Sequence, residues 1–143
     1  MTGFLLDTNV LSEMLKPAPD ARVTEFLRTR HHRLWLSVVV LYELEYGVRL
    51  LPAGRRRVQL ATQVEGLIAN HEDRILPVSR EAAHRAARLR ARARRAGRPA
   101  QTADALIAGT AETASLAVAT RNTAHFAPFG VESIDPWTGQ PGQ

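Results

Sequence analysis

Short apolar runs alternate with helix-length segments along this chain, and that alternation constrains its fold more than any other feature. Gly3–Leu6, Leu34–Leu36, Arg74–Val78, Leu116–Ala119 and Val131–Ile134 read as strands. Between them the spacing predicts helices over Val10–Lys16, Ala21–Arg30, Val38–Leu51, Arg55–Asn70, Glu81–Ala96 and Ala103–Ala114. Thr8 or Asn9, Ser37 and Thr102 stand where N-caps belong, and Pro17, Pro52 and Gly97 stand where helices stop. The Arg55–Asn70 helix takes its apolar spacing from Val58, Ala61, Val64, Leu67 and Ile68. Strands alternating with helices build a mainly parallel sheet covered on both faces, so the predicted fold is α/β, a three-layer α/β/α sandwich. Such sheets bind ligands beyond the carboxyl ends of their strands.

The 143 residues suffice for one domain that buries roughly two-thirds of its unfolded surface. Cysteine is absent, which excludes a disulfide scaffold and fits a reducing compartment. The apolar stretch Leu34–Tyr42 runs into Glu43, Glu45 and Arg49 and is too short to span a bilayer. No basic segment precedes Phe4–Leu6, as a secretory leader would require. The expectation is a soluble, cytoplasmic, single-domain protein.

Three carboxylates interrupt patterns that call for apolar residues. Asp7 ends the first strand. Glu43 breaks the run Val38-Val-Val-Leu-Tyr-Glu-Leu44, and Gly47, one turn later, leaves open space beside it. Asp104 sits in the first turn of a helix whose predicted apolar face is Ala103, Leu106, Ile107, Thr110, Ala111 and Ala114. Carboxylates gathered in a partly dry cleft repel one another unless a cation neutralises them. Hard oxygen ligands without cysteine select Mg2+ or Mn2+ over zinc. Each residue also has a plainer reading. Asp104 complements a helix dipole, Asp7, Thr8 or Asn9 caps a helix, and Glu43 pairs with a buried arginine.

Other chemistries lack their residues. An aspartyl-phosphate enzyme needs a second Asp two residues after Asp7, where Asn9 stands. No glycine-rich nucleotide loop and no nucleophile turn is present. His31, His32, His71, His84 and His125 show no ligand spacing, and four of them belong on solvated faces or loops.

The net charge is +5, from 19 basic and 14 acidic residues, and Lys16 is the sole lysine. Arginine suits bidentate phosphate or carboxylate contacts, although a GC-rich genome produces the same bias. Residues 74–98 carry nine arginines against Glu81 alone, a balance of +8 that leaves −3 on the rest of the chain. Ala82, Ala86, Leu89, Ala93 and Ala96 form a narrow apolar stripe there, flanked by Arg85, Arg88, Arg92 and Arg95 on one side and by Arg90 and Arg94 on the other. One reading is a solvated helix whose stems cover the core. The other is a salt-sensitive RNA backbone contact through Arg88, Arg92 and Arg95.

The stretches Phe4-Leu-Leu-Asp-Thr-Asn-Val-Leu-Ser-Glu13, Leu36-Ser-Val-Val-Val-Leu-Tyr-Glu-Leu-Glu-Tyr-Gly-Val48, Thr102-Ala-Asp-Ala-Leu-Ile-Ala108 and Val118-Ala-Thr-Arg-Asn-Thr-Ala-His-Phe126 occur in one order. With the ending Ile134-Asp-Pro-Trp137, they make the chain resemble PIN domains, specifically VapC-type toxins of the FitB-like branch. The resemblance spans residues 4–137 and implies a single PIN domain over 1–137 with a short tail at 138–143. It implies a Mg2+- or Mn2+-dependent endoribonuclease whose acidic triad is Asp7, Glu43 and Asp104. Asp7 and Asp104 would be the principal metal ligands, and Glu43 would hold a metal-bound water or bind the ion through it. A metal-activated water would then attack an RNA phosphodiester in line. Many relatives carry a fourth acid at the position of Asn122 or of His125; here neither is acidic, so one ion is expected and Asn122 offers a carbonyl oxygen or orients a water with less charge. The resemblance also implies a cognate VapB-like antitoxin, a homodimer to which Val38–Leu51 contributes, and a toxin–antitoxin hetero-oligomer. The competing reading is a degenerate PIN module that binds RNA or a protein without cutting; a DNA-directed PIN-like protein differs only in substrate.

Overall fold

The computed structural model describes residues 2–142. In chain order the elements are β1 (Phe4–Leu6), α1 (Thr8–Met14), α2 (Ala21–Thr29), β2 (Leu34–Ser37), α3 (Val38–Leu50), α4 (Arg55–Asn70), β3 (Ile75–Leu76), α5 (Arg80–Arg95), α6 (Thr102–Thr113), β4 (Ala117–Ala119), α7 (Thr123–Phe126) and β5 (Ser133–Ile134). Single 3-10 turns at His31–Arg33, Glu72–Arg74 and Ala127–Phe129 lead into β2, β3 and Gly130. The strands form one sheet in the order β3-β2-β1-β4-β5, every pair parallel. All residues of β1 and β4 are buried, which a strand achieves only when both faces of its sheet are covered. The expected three-layer α/β/α architecture is therefore present.

The order reverses at β1, since β2 and β3 lie to one side and β4 and β5 to the other. Leu5 pairs with Val118, so the chain leaves β1 and β4 side by side at the same end of the sheet. That crevice is where a doubly wound sheet accepts a ligand. The two edge strands hold two residues each, too short a ladder to recruit another strand.

Several local expectations are corrected. Of the three caps offered for α1, the first-named pair Thr8 and Asn9 fails and Asp7 holds, its Oδ1 accepting from the Thr8 N–H at 2.8 Å. Thr102 lies inside α6, whose N-cap Gln101 makes no side-chain bond. Val58 is exposed; the apolar side of α4 runs instead through Leu60, Val64, Leu67 and Ile68. Ala114 is exposed, whereas Ala105, Ala108 and Gly109 are buried. The cause is close packing of α5 on α6: a Cβ at Gly109 would lie 2.5 Å from the Ala82 carbonyl oxygen and 2.8 Å from the Ala86 nitrogen. Ala82, Ala86, Leu89 and Ala93 form the buried stripe of α5, and Ala96 lies beyond it in solvent. The short helix α7 was absent from the pattern because four residues carry no readable period.

Beyond β5, the Gly142 N–H donates to the Ser133 carbonyl at 2.8 Å, so the segment after Trp137 folds back on that strand.

Candidate active site

Asp7 follows β1 directly, and its backbone N–H is tied to the Ala119 carbonyl at 2.9 Å. Its Oδ2 accepts from Thr120 Oγ1 at 2.8 Å and from Asn9 Nδ2 at 3.1 Å. Thr120, fully buried at the end of β4, also accepts from Asn9 Nδ2 and from the Asn122 N–H. Three of the roughly four acceptor positions of the Asp7 carboxylate are thus occupied, which fixes its orientation and leaves room for one more ligand. Burial nevertheless pushes the Asp7 pKa up, outweighing these hydrogen bonds.

Glu43 reaches the same place from α3, and Thr8 Oγ1 donates to its Oε1 at 2.6 Å. No arginine pairs with it among the described residues; the plainer reading of Glu43 fails. Gly47 has no atom within 4 Å of a built Cβ, so the space expected beside Glu43 is open.

Asp104 enters from the first turn of α6. Its pKa is raised first by burial and then by the negative charges of Asp7 and Glu43, with His125 opposing. Asp104 Oδ2 and His125 Nδ1 are 3.8 Å apart. The carboxylates therefore feel one another, as expected for acids sharing a cleft.

A single cleft of about 490 Å3 is lined by Asp7, Glu43, Asp104, Asn122 and His125, with Lys16, Arg121 and Trp137 around them. The structure brings the expected triad and the Asn122 position together. Sequence reasoning gave His125 no ligand role, although its side chain stands beside Asp104. Thr120 was also missed; its signal is a hydroxyl directly after a buried strand, two residues before Asn122. Arg88, Arg92 and Arg95 lie elsewhere, in a cleft shared with Arg85 and Glu112. Of these, Arg92 is engaged by the fold, donating to the Phe129 carbonyl at 2.8 Å.

The donor set suits a hard divalent cation: carboxylate and amide oxygens, no sulfur, and two aspartates whose anionic forms are disfavoured without a positive partner. Among the described residues, no three such side chains already converge on one point. Glu43 bonds Thr8, and Asp104 leans toward His125. Magnesium takes one or two carboxylates and keeps several waters, so it does not require three converging side chains.

Residues 4–128 match the PIN domain family model. The chain is a PIN domain. This PIN domain is 36% identical over 135 residues to the VapC ribonuclease Y4jK of Sinorhizobium fredii, covering 93% of this chain and 96% of that protein. It is 38% identical over 135 residues to the toxin FitB of Neisseria gonorrhoeae, covering 93% and 97%. The crystal structure of FitAcB from Neisseria gonorrhoeae superposes with a TM-score of 0.87 at 38% identity, over 94% of this chain and 98% of that one. The PIN domain thus belongs with the VapC- and FitB-type proteins of toxin–antitoxin pairs, as its motifs implied.

Proposed function

We propose that this PIN domain is the toxin of a toxin–antitoxin pair and a Mg2+- or Mn2+-dependent endoribonuclease. The observation that carries the reading is the meeting of Asp7, Glu43 and Asp104 in one cleft, at the point where strand order reverses. Asp7 and Asp104 are the residues to hold one ion, with the Asn122 carbonyl oxygen beside them. When bound, such an ion supplies Lewis acidity toward water and toward a phosphodiester oxygen.

The chain's own residues supply the rest. Thr120 and Asn9 lock the Asp7 carboxylate, so its orientation is set before substrate arrives. Thr8 fixes one oxygen of Glu43, and this carboxylate is the group to accept a proton from the attacking water. Hydrolysis joins that water's oxygen to phosphorus and breaks the bond to one ribose oxygen, which takes up a proton from solvent as it leaves. Because Asn122 and His125 bring no further negative charge, the site is suited to one ion rather than two.

The partners proposed are RNA, a VapB-like antitoxin, and a second copy of the chain within a toxin–antitoxin hetero-oligomer, acting in the cytoplasm. No helix among the described residues is long and apolar enough to cross a membrane.

The test is cleavage of structured RNAs by purified protein with Mg2+ or Mn2+, beside EDTA and Asp7→Asn. Metal-dependent cutting that Asp7→Asn abolishes supports the ribonuclease. Equal activity in the variant exposes a contaminating nuclease. Metal binding without any cutting replaces the proposal with a degenerate RNA- or protein-binding module.

A further inference from the structure

Three carboxylates repel a polyanion, so cations beside them decide where a phosphodiester strand lies. Lys16 and Arg121 bring the lysine and arginine charges that line the cleft. Lys16 is paired with the buried Glu13 at 2.8 Å. Arg121 has no carboxylate at ion-pair distance among the described residues.

Arg121 is not a loose surface arginine. Its guanidinium carbon stands 4.8 Å from the centroid of the Trp137 ring, and Trp137 is 4% exposed and part of the core. The Trp137 backbone N–H donates to Asp135 Oδ1 at 2.8 Å, and the Asp135 carbonyl accepts from the backbone N–H groups of Thr138 and Gly139. A closed turn therefore seats the indole. At the other end, the Arg121 backbone N–H donates to Asn9 Oδ1 at 3.2 Å, the same Asn9 that binds Asp7. The residue hangs from the network that orients the site carboxylate, and the Ile134–Trp137 ending reaches the cleft through it.

A guanidinium over an indole keeps its N–H edge free, and that planar fork matches two phosphate oxygens. We propose that Arg121, held over Trp137, is a positioning residue that grips a phosphate of the RNA strand beside the acidic cleft. The inference rests on the ribonuclease reading for its substrate class.

The experiment compares wild type, Arg121→Gln, Arg121→Lys and Trp137→Phe. A short fluorescent single-stranded RNA is titrated in EDTA across a range of NaCl, and cleavage of unlabelled RNA is followed with Mn2+. Emission of Trp137 is read in a Trp35→Phe background. Arg121→Gln is expected to weaken RNA binding about tenfold. It should also flatten the log-affinity versus log-salt slope by roughly 0.7. KM should rise with kcat nearly unchanged, and RNA should no longer alter Trp137 emission. Arg121→Lys, which keeps charge but loses the fork, and Trp137→Phe should fall between. Unchanged KM, slope and emission in Arg121→Gln, with wild type cutting normally, overturns the role of Arg121 and leaves the ribonuclease standing. A wild type that binds but never cuts, with binding and emission response lost in Arg121→Gln, overturns the ribonuclease and supports Arg121. A wild type that neither binds nor cuts RNA overturns both.

Discussion

Thr8 Oγ1 donates a 2.6 Å hydrogen bond to Glu43 Oε1, joining the first turn of α1 to the middle of α3 across the acidic cleft. The bond gives a carboxylate on one helix an orientation set by the end of β1. Removing it leaves Glu43 free to rotate in a space that Gly47 keeps open.

Thr8→Val is therefore expected to lower kcat for RNA cleavage by about tenfold, the scale seen when a residue orienting a site ligand is lost. Melting temperature should change little, because water can reach the partly buried Glu43. Thr8→Ser, which keeps the hydroxyl, should restore most of the rate. A full rate in Thr8→Val would show that Glu43 needs no support from Thr8.

Asp104 carries a pH dependence of definite sign. Its folded pKa is raised above the ordinary aspartate value by burial and by Asp7, so the ionised form costs the folded state. The contribution is favourable below the unfolded pKa near 3.8 and is lost as pH rises through the raised folded pKa. In EDTA at neutral pH, Asp104→Asn should raise the melting temperature by about 1–3 °C, and the difference should close below pH 3.8. Added Mg2+ or Mn2+ should stabilise wild type more than the variant, while cleavage is lost. Thermal melts from pH 3 to pH 8 check the sign, and a variant less stable than wild type at neutral pH would refute it.

Thr120 serves Asp7, Asn9 and the Asn122 backbone with one buried hydroxyl. Thr120→Val keeps its shape and strands those partners, at a cost of about 2 kcal/mol. Differential scanning calorimetry should show a fall of roughly 4–8 °C, with cleavage reduced further than stability explains. A neutral result would mean that water replaces the hydroxyl.

Gly109 is required by the approach of α5 to α6. Gly109→Ala places a methyl against the Ala82 carbonyl and should cost about 1–3 kcal/mol, whereas Gly66→Ala on α4, where a Cβ meets nothing within 4 Å, should gain roughly 0.5–1 kcal/mol. Urea denaturation of the two variants separates packing from helix propensity. Equal effects at both sites would refute the close contact.

The outer face of α5 carries the other candidate RNA contact. If Arg88 and Arg95 each neutralise one phosphate, the double Arg88→Gln, Arg95→Gln variant should flatten the salt slope of RNA binding by roughly 1.4 without loss of stability. Arg92→Gln should instead cost about 1 kcal/mol, because Arg92 holds the Phe129 carbonyl. An unchanged slope in the double variant would leave that face as a solvated helix.

Much of this protein is legible in its sequence. Strand and helix periods depend on neighbours a few residues apart, so β1 to β5, the long helices and the parallel α/β class followed from local pattern, with Arg55–Asn70 matching to the residue. The acids were legible because a charge at the end of a strand or within an apolar run costs free energy that an ordinary fold avoids. Residues whose roles depend on distant partners were harder to read. Thr120 meets Asp7 across 113 positions of sequence and Thr8 meets Glu43 across 35, and His125 acquires its place only when α7 is set beside α6.

Composition and period determined by themselves that this chain makes a sheet between helices, with Asp7 at the carboxyl end of its first strand. Tertiary structure decided that β1 and β4 are neighbours, that Asp7, Glu43 and Asp104 share one cleft, and that Arg121 stands over Trp137. The physical reason is range: secondary structure is set by hydrogen bonds and burial between near neighbours, whereas a site is set by which strand ends the packing of the whole core brings together.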